Sequence, residues 1–244
     1  MKKVALLTVP ISLLVLVSAT LAHQPRIVSG ELTQIENPEV SQAFYGQLKG
    51  KPDYYQIKSD GPFSFYVGIL VPDLEGIGKD ISVEIRKGHE YDERQPEHEH
   101  EKGEILFFLN GLDHEWTYYY EEFGGDSYYK GPELRRNPDE QGLPRGVDVD
   151  EETYTIKVFS PDNEGKYVLV VGEREEFPLN EIIKTLFVLP TLKAEFFGKS
   201  PWTAYFNLIG LFLLISVLVI VGIVVVVVVL VKRGRKKRKI KMKI

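Results

Sequence analysis

The sequence predicts a mainly β protein, a jelly-roll-like β-sandwich followed by short juxtamembrane helices and one C-terminal transmembrane helix. Three observations carry this. Between residues 26 and 171, short runs rich in aromatic and β-branched residues alternate with Gly, Pro, Asn and Asp clusters about every 8–12 residues, the pattern of a sandwich or barrel. No segment with helical periodicity interrupts them before Pro178. From Ala204 to Val231 no side chain is charged at neutral pH, and Asn207 is the only strongly polar residue.

Taken in order, Arg26 to Ile35 predicts a first strand, ended by Glu36-Asn37-Pro38. Ser41 to Leu48 and Tyr54 to Lys58 predict two strands around the turn at Lys49-Gly50-Lys51-Pro52-Asp53. Phe63 to Val71 alternates apolar and polar until Pro72-Asp73 breaks it. Ile81 to Arg86 puts Val83 and Ile85 on one face, and Ile105 to Leu109 follows. Tyr154 to Phe159 and Lys166 to Val171 flank a hairpin loop at 160–165. In the segment 177–203, Ile182, Ile183, Leu186, Phe187 and Leu189 fit a helix face that Pro190 should kink or end.

A helix rising about 1.5 Å per residue needs roughly 20 apolar residues to cross a hydrocarbon core of about 30 Å, so 204–231 is long enough to span with tilt. The tail 232–244 contains nine basic residues and no acidic one, among them Lys232, Arg233, Arg235, Lys236, Lys237 and Arg238. Lys and Arg beside a span stay in the cytoplasm, which predicts a cytoplasmic tail and a domain outside the cell membrane. The other end agrees. Lys2-Lys3, an apolar run from Val4 to Val17 and the small residues around Ala22 make residues 1–22 a signal peptide, with a retained anchor as the alternative. The mature chain is then a type I single-pass protein with an extracytoplasmic domain at 23–176.

Charge is unevenly placed. Lys2, Lys3 and the nine tail residues supply +11 of a whole-chain charge of −5, which leaves −16 for the external part. So acidic a domain argues against nucleic acid as a partner, since that needs a basic face. No cysteine and no Asn-x-Ser/Thr sequon occurs, so an exported domain relies on its core alone, as in a prokaryotic cell envelope.

Two segments carry a resemblance. Phe44-Tyr45-Gly46-Gln47-Leu48-Lys49-Gly50 leading into Asp53-Tyr54-Tyr55-Gln56-Ile57, and Thr153 to Val158 with Gly165 to Val171, resemble the first and last strand pairs of bacterial and archaeal pre-peptidase C-terminal domains. About 30 residues carry the match across 40–172. Glu152 stands where that family usually has Gly, and the middle from Lys87 to Asp150 is longer than usual. The resemblance implies a small jelly-roll-like sandwich of the kind attached to secreted enzymes, many of which bind surfaces, glycans or calcium. No matching position is catalytic.

Several stretches bear chemistry. His89, His98 and His100 share an acidic segment whose imidazoles suit zinc, copper or nickel; a solvated, charged loop is the competing reading. If cleavage follows Ala22, His23 gains a free α-amino group. Amine and imidazole could then chelate copper with His114 as a third ligand, which resembles a histidine brace. Residues 111–133 concentrate Trp116, Tyr118, Tyr119, Tyr120, Tyr128 and Tyr129, rings that either contact a protein or glycan partner or form core. Asp148, Asp150, Glu151 and Glu152 could hold calcium but lack the spacing of a defined loop. Signatures of nucleophile elbows, zinc proteases, P-loops and dinucleotide sites are missing, and thiol catalysis is excluded. The expectation is a non-enzymatic binding or structural module needing no cofactor, with copper or zinc handling as the alternative.

Overall fold

The computed structural model describes residues 23–88, 90–92, 94, 102–122, 124–137, 145–176 and 178–241, and within 208–241 only part of the side chains. Residues 1–22, expected to be a signal peptide, and His89, His98 and His100 lie outside the described residues. The described residues divide into two compact units, one over 23–203 and one over 204–241.

The larger unit is a two-sheet sandwich. Its strands are β1 (Gln24–Ile27), β2 (Leu32–Gln34), β3 (Gln42–Lys49), β4 (Asp53–Lys58), β5 (Phe63–Phe65), β6 (Val67–Pro72), β7 (Ser82–Lys87), β8 (Glu104–Leu109), β9 (Thr117–Glu121), β10 (Asp126–Leu134), β11 (Val147–Val149), β12 (Thr153–Phe159) and β13 (Glu164–Val171). Six strands in the order β1-β3-β13-β6-β10-β9 form one sheet, and β2-β4-β12-β7-β8 form the other; β11 pairs with β5. Pairing is antiparallel except where β1 joins β3 and β2 joins β4 in parallel.

The strand expected over 26–35 is thus two strands, one in each sheet. Gly30 lies between them at φ 102°, a conformation that side chains disfavour, and it lets the chain cross from one sheet to the other. The facing interiors interdigitate Leu48, Ile57, Val83, Ile156 and Leu169, all essentially inaccessible. Buried tyrosines complete this core. Tyr167 donates to Asp53 at 2.6 Å and accepts from Tyr55 at 2.8 Å, so both hydroxyls are satisfied. Gly46 lies flat against the Tyr167 ring, where a Cβ would come 2.4 Å from Cζ.

The outer face of the six-stranded sheet is also covered. Helix α1 (Leu179–Thr191) runs into a π-helical turn at Leu192–Phe196. Pro190 neither ends nor sharply breaks the helix. It sits in the last turn, and the chain runs on from Thr191 into the π-helical turn. Leu192, Phe196 and Phe197 pack on Ala43, Tyr66, Tyr128, Val168 and Val170 to form a second core. Tyr45 stands edge-on to Phe196 with ring centres 5.1 Å apart.

In the second unit, α2 (Leu208–Lys241) is one 34-residue helix. The apolar helix begins four residues later than the run expected from 204, because Asn207 caps it. The Asn207 side chain accepts from the Gly210 amide at 3.0 Å, and its carbonyl accepts from Leu211 at 3.0 Å. The helix continues past Val231 into the basic tail without a break. Among the described residues taken alone, no helix is long and apolar enough to cross a membrane. Several side chains between 209 and 230 fall outside that description, so the apolar character of α2 rests on its sequence.

Candidate functional site

The aromatic stretch forms an edge hairpin, β9–β10, at the rim of the six-stranded sheet. Its pairing aligns Tyr120 with Ser127, Tyr119 with Tyr128 and Tyr118 with Tyr129. Alternation then sorts the rings by face. Tyr128 is buried on the outer face, its hydroxyl 3.3 Å from that of Tyr45 and its ring edge-on to Phe197. Burial holds the hydroxyls of Tyr45 and Tyr128 well above their ordinary pKa. Tyr119 joins the same core, with Lys130 Nζ 4.0 Å above its ring. Burial, then Glu121 and Glu122, raise the Tyr119 hydroxyl as well.

On the other side, Trp116 is half-buried against the main core, fits over Gly131, and donates Nε1–H to the Gly111 carbonyl at 2.9 Å. Tyr129 packs beside it under Lys79 Nζ, 3.4 Å from the ring centre. Tyr118 and Tyr120 remain outward, 60% and 51% exposed. Tyr118 is held upright by its hydroxyl, 2.9 Å from Ser127 Oγ, and by edge contact with Tyr129. Of the six rings, four serve packing and two are free to touch a partner. Leu112 in the preceding loop is also exposed.

The base of this hairpin carries a feature the sequence reading missed. Lys193, in the π-helical turn, is buried and donates to Asp126 Oδ2 at 2.5 Å and to the Gly124 carbonyl at 2.6 Å. Lys199 reaches the other Asp126 oxygen at 2.9 Å. One buried carboxylate therefore ties two lysines of the helical segment to the first residue of β10. Lys193 between Leu192 and Ala194, in a segment otherwise rich in apolar residues, was the sequence signal. A second network supports the same sheet: Tyr66 donates to Glu133 at 2.6 Å, and Arg145 stands 4.3 Å from the Tyr66 ring and pairs with Glu173 at 2.6 Å.

The histidines are placed as follows. His23 directly precedes β1, with its Nδ1 hydrogen-bonded to Ser41 Oγ. Nδ1 is the nitrogen that would close a chelate ring with a free α-amino group. Burial, then the charges of Arg145 and Lys130, push the imidazole down to about 4. His114 is exposed in the loop before β9, edge-on to Trp116. β1 and β9 are opposite edges of the sheet with four strands between them, and the structure does not bring the two histidines together as ligands. Among the described residues, no group of three or more His, Asp and Glu could hold a metal ion. Asp148 pairs with Arg136 at 2.6 Å. Of the basic topology residues, Lys232 is exposed; the side chains of Arg233, Arg235, Lys236, Lys237 and Arg238 lie outside the description.

No family model matches the chain, and no curated protein matches it either. Among solved structures, it is similar to the pre-peptidase C-terminal domain of a collagenase from Bacillus anthracis, at 12% identity and a TM-score of 0.28, over 59% of this chain and 96% of that one. It is also similar to CorA, a surface-associated copper-binding protein of Methylomicrobium album BG8, at 8% identity and a TM-score of 0.25, over 62% of this chain and all of that one. Similarity at these levels assigns neither family nor ligand.

Proposed function

We propose that this protein is a membrane-anchored, non-enzymatic module that presents a rigid edge hairpin outside the cell to a protein or glycan partner. The observation that carries it is the division of labour in β9–β10: four rings and Asp126 fix the hairpin, while Tyr118 and Tyr120 are left outward on an ordered edge. Ordered tyrosines cost little entropy on binding and offer apolar faces with polar tips. Residues 208–231 form the helical span, the basic residues from Lys232 onward hold the tail in the cytoplasm, and residues 1–22 direct export.

Binding is tested with the full chain in detergent, mixed with purified envelope polysaccharide or with envelope protein, each with and without chelator. Tyr118→Ala/Tyr120→Ala should lose retention while chelator changes nothing. Trp116 is a poor probe because its removal hollows the core. Retention that disappears with chelator, together with copper or zinc in the purified protein, would replace this reading with metal handling through His23 or the segment containing His89, His98 and His100.

A further inference from the structure

The helix α1 leaves an apolar side exposed. Glu181, Thr185 and Val188 share one side; Val188 packs in the second core, and Glu181 is buried, paired with Arg26 at 2.8 Å. The opposite side carries Ile183, Phe187 and Pro190, flanked by Asn180 and Leu186, and no charge. Ile183 is 46% exposed and Phe187 77%. A helix whose outward side faces water ordinarily carries its Glu and Lys there, whereas one apolar all round is covered. Lys184 lies on the flank, where it turns to Glu181 at 2.7 Å.

Chain continuity indicates what covers that side. Phe187 stands 21 residues before Leu208, the first residue of α2, and Trp202 stands six before it and is 72% exposed. Trp is enriched where a chain meets the headgroup layer, and an apolar helix side lies readily in that layer. We infer that Ile183, Phe187 and Trp202 sit in the headgroup layer of the bilayer, so that α1 is a membrane-surface contact and not merely a cover for the sheet. The bilayer is favoured over a protein partner because the exposed rings belong to the segment that leads into the span. This rests on the proposal that α2 crosses the membrane.

The chain has no cysteine, so single cysteines can carry a fluorophore. The full-length protein is reconstituted in phosphatidylcholine vesicles doped with lipids that carry a nitroxide quencher near the headgroup or deep in the acyl chain. Phe187→Cys and Ile183→Cys should be quenched several times more strongly by the shallow quencher than Lys58→Cys, an exposed position on the other sheet. Leu218→Cys reports the span and should respond to the deep quencher. Quenching at 187 and 183 no greater than at 58, with 218 still quenched, overturns the surface contact and leaves the span standing. No quenching at 218 removes both.

Discussion

Neutralising Asp126 tests whether the helical segment is locked to the hairpin. The side chains of Asp126 and Lys193 are 6% and 3% exposed, so the pair is shielded from water. Asp126→Asn leaves the Lys193 ammonium buried with two neutral carbonyl acceptors, the new amide oxygen and that of Gly124, and no counter-charge from residue 126. Breaking a buried pair from one side costs about 3–5 kcal/mol, because a charge is left uncompensated. Lys199 is 42% exposed, so Lys199→Ala should cost no more than about 1 kcal/mol. Lys193→Met removes the charge together with its need for a partner, and should cost less than Asp126→Asn. The loss appears first as detachment of the segment, which the packing of Leu192, Phe196 and Phe197, the Arg26–Glu181 pair and Lys166 bonded to the Phe196 carbonyl hold besides this clamp. Limited trypsin digestion of the full chain in detergent reads the detached fraction at Lys193. With fast reclosing, 3 kcal/mol raises the cleavage rate by about a hundredfold. An Asp126→Asn protein cleaved no faster than Lys199→Ala would refute the clamp.

Further outcomes follow from the two cores. Gly46→Ala should destabilise by about 1–3 kcal/mol in urea or thermal unfolding, because Tyr167 is anchored by Tyr55 and Asp53 and cannot retreat; an unchanged midpoint contradicts the packing. Tyr45, Tyr55, Tyr66, Tyr128 and Tyr167 have hydroxyls raised chiefly by burial. Their folded pKa exceeds the unfolded value of about 10, so the stability they confer is intact below pH 10 and lost as pH rises beyond it. Ultraviolet titration should show these five of the thirteen tyrosines ionising only with unfolding; smooth titration of all thirteen near 10 counts against it. His23 is depressed to about 4, so its contribution is present above pH 6.5 and declines as pH falls towards 4. Replacing His23 with Gln should flatten that part of the Tm profile, and an unaltered slope would show that His23 does not titrate there.

Where residues alternate and turns are local, the strands are legible in the sequence. β3, β4, β7, β8, β12 and β13 stand within a residue or two of their expected places. β9 and β10 were legible only as an aromatic stretch. An edge strand uses both faces for rings, so Thr117-Tyr118-Tyr119-Tyr120-Glu121 shows no alternation. In β10, Gly131-Pro132 resembles a turn but occupies a register shift between Lys130 and Glu133, where a proline is tolerated. β11 pairs with β5 some 80 residues away, and no local signal specifies that contact. The candidate face was half legible. Residue type picked out all six rings, but only the register tells Tyr118 and Tyr120 from the four that pack. Lys193 stands out among its apolar neighbours, but its partner Asp126 is 67 residues away and no local pattern names it.

In the proposed topology the sandwich stands outside the membrane and the basic tail inside. Ser29→Cys, exposed on the sandwich, and Lys243→Cys, in the tail, are each the sole cysteine of the chain. Intact cells are treated with a membrane-impermeant maleimide before and after permeabilisation. Position 29 should be labelled in intact cells and position 243 only after permeabilisation. Labelling of 243 in intact cells with 29 protected, or equal labelling of both in a soluble fraction, would contradict this topology.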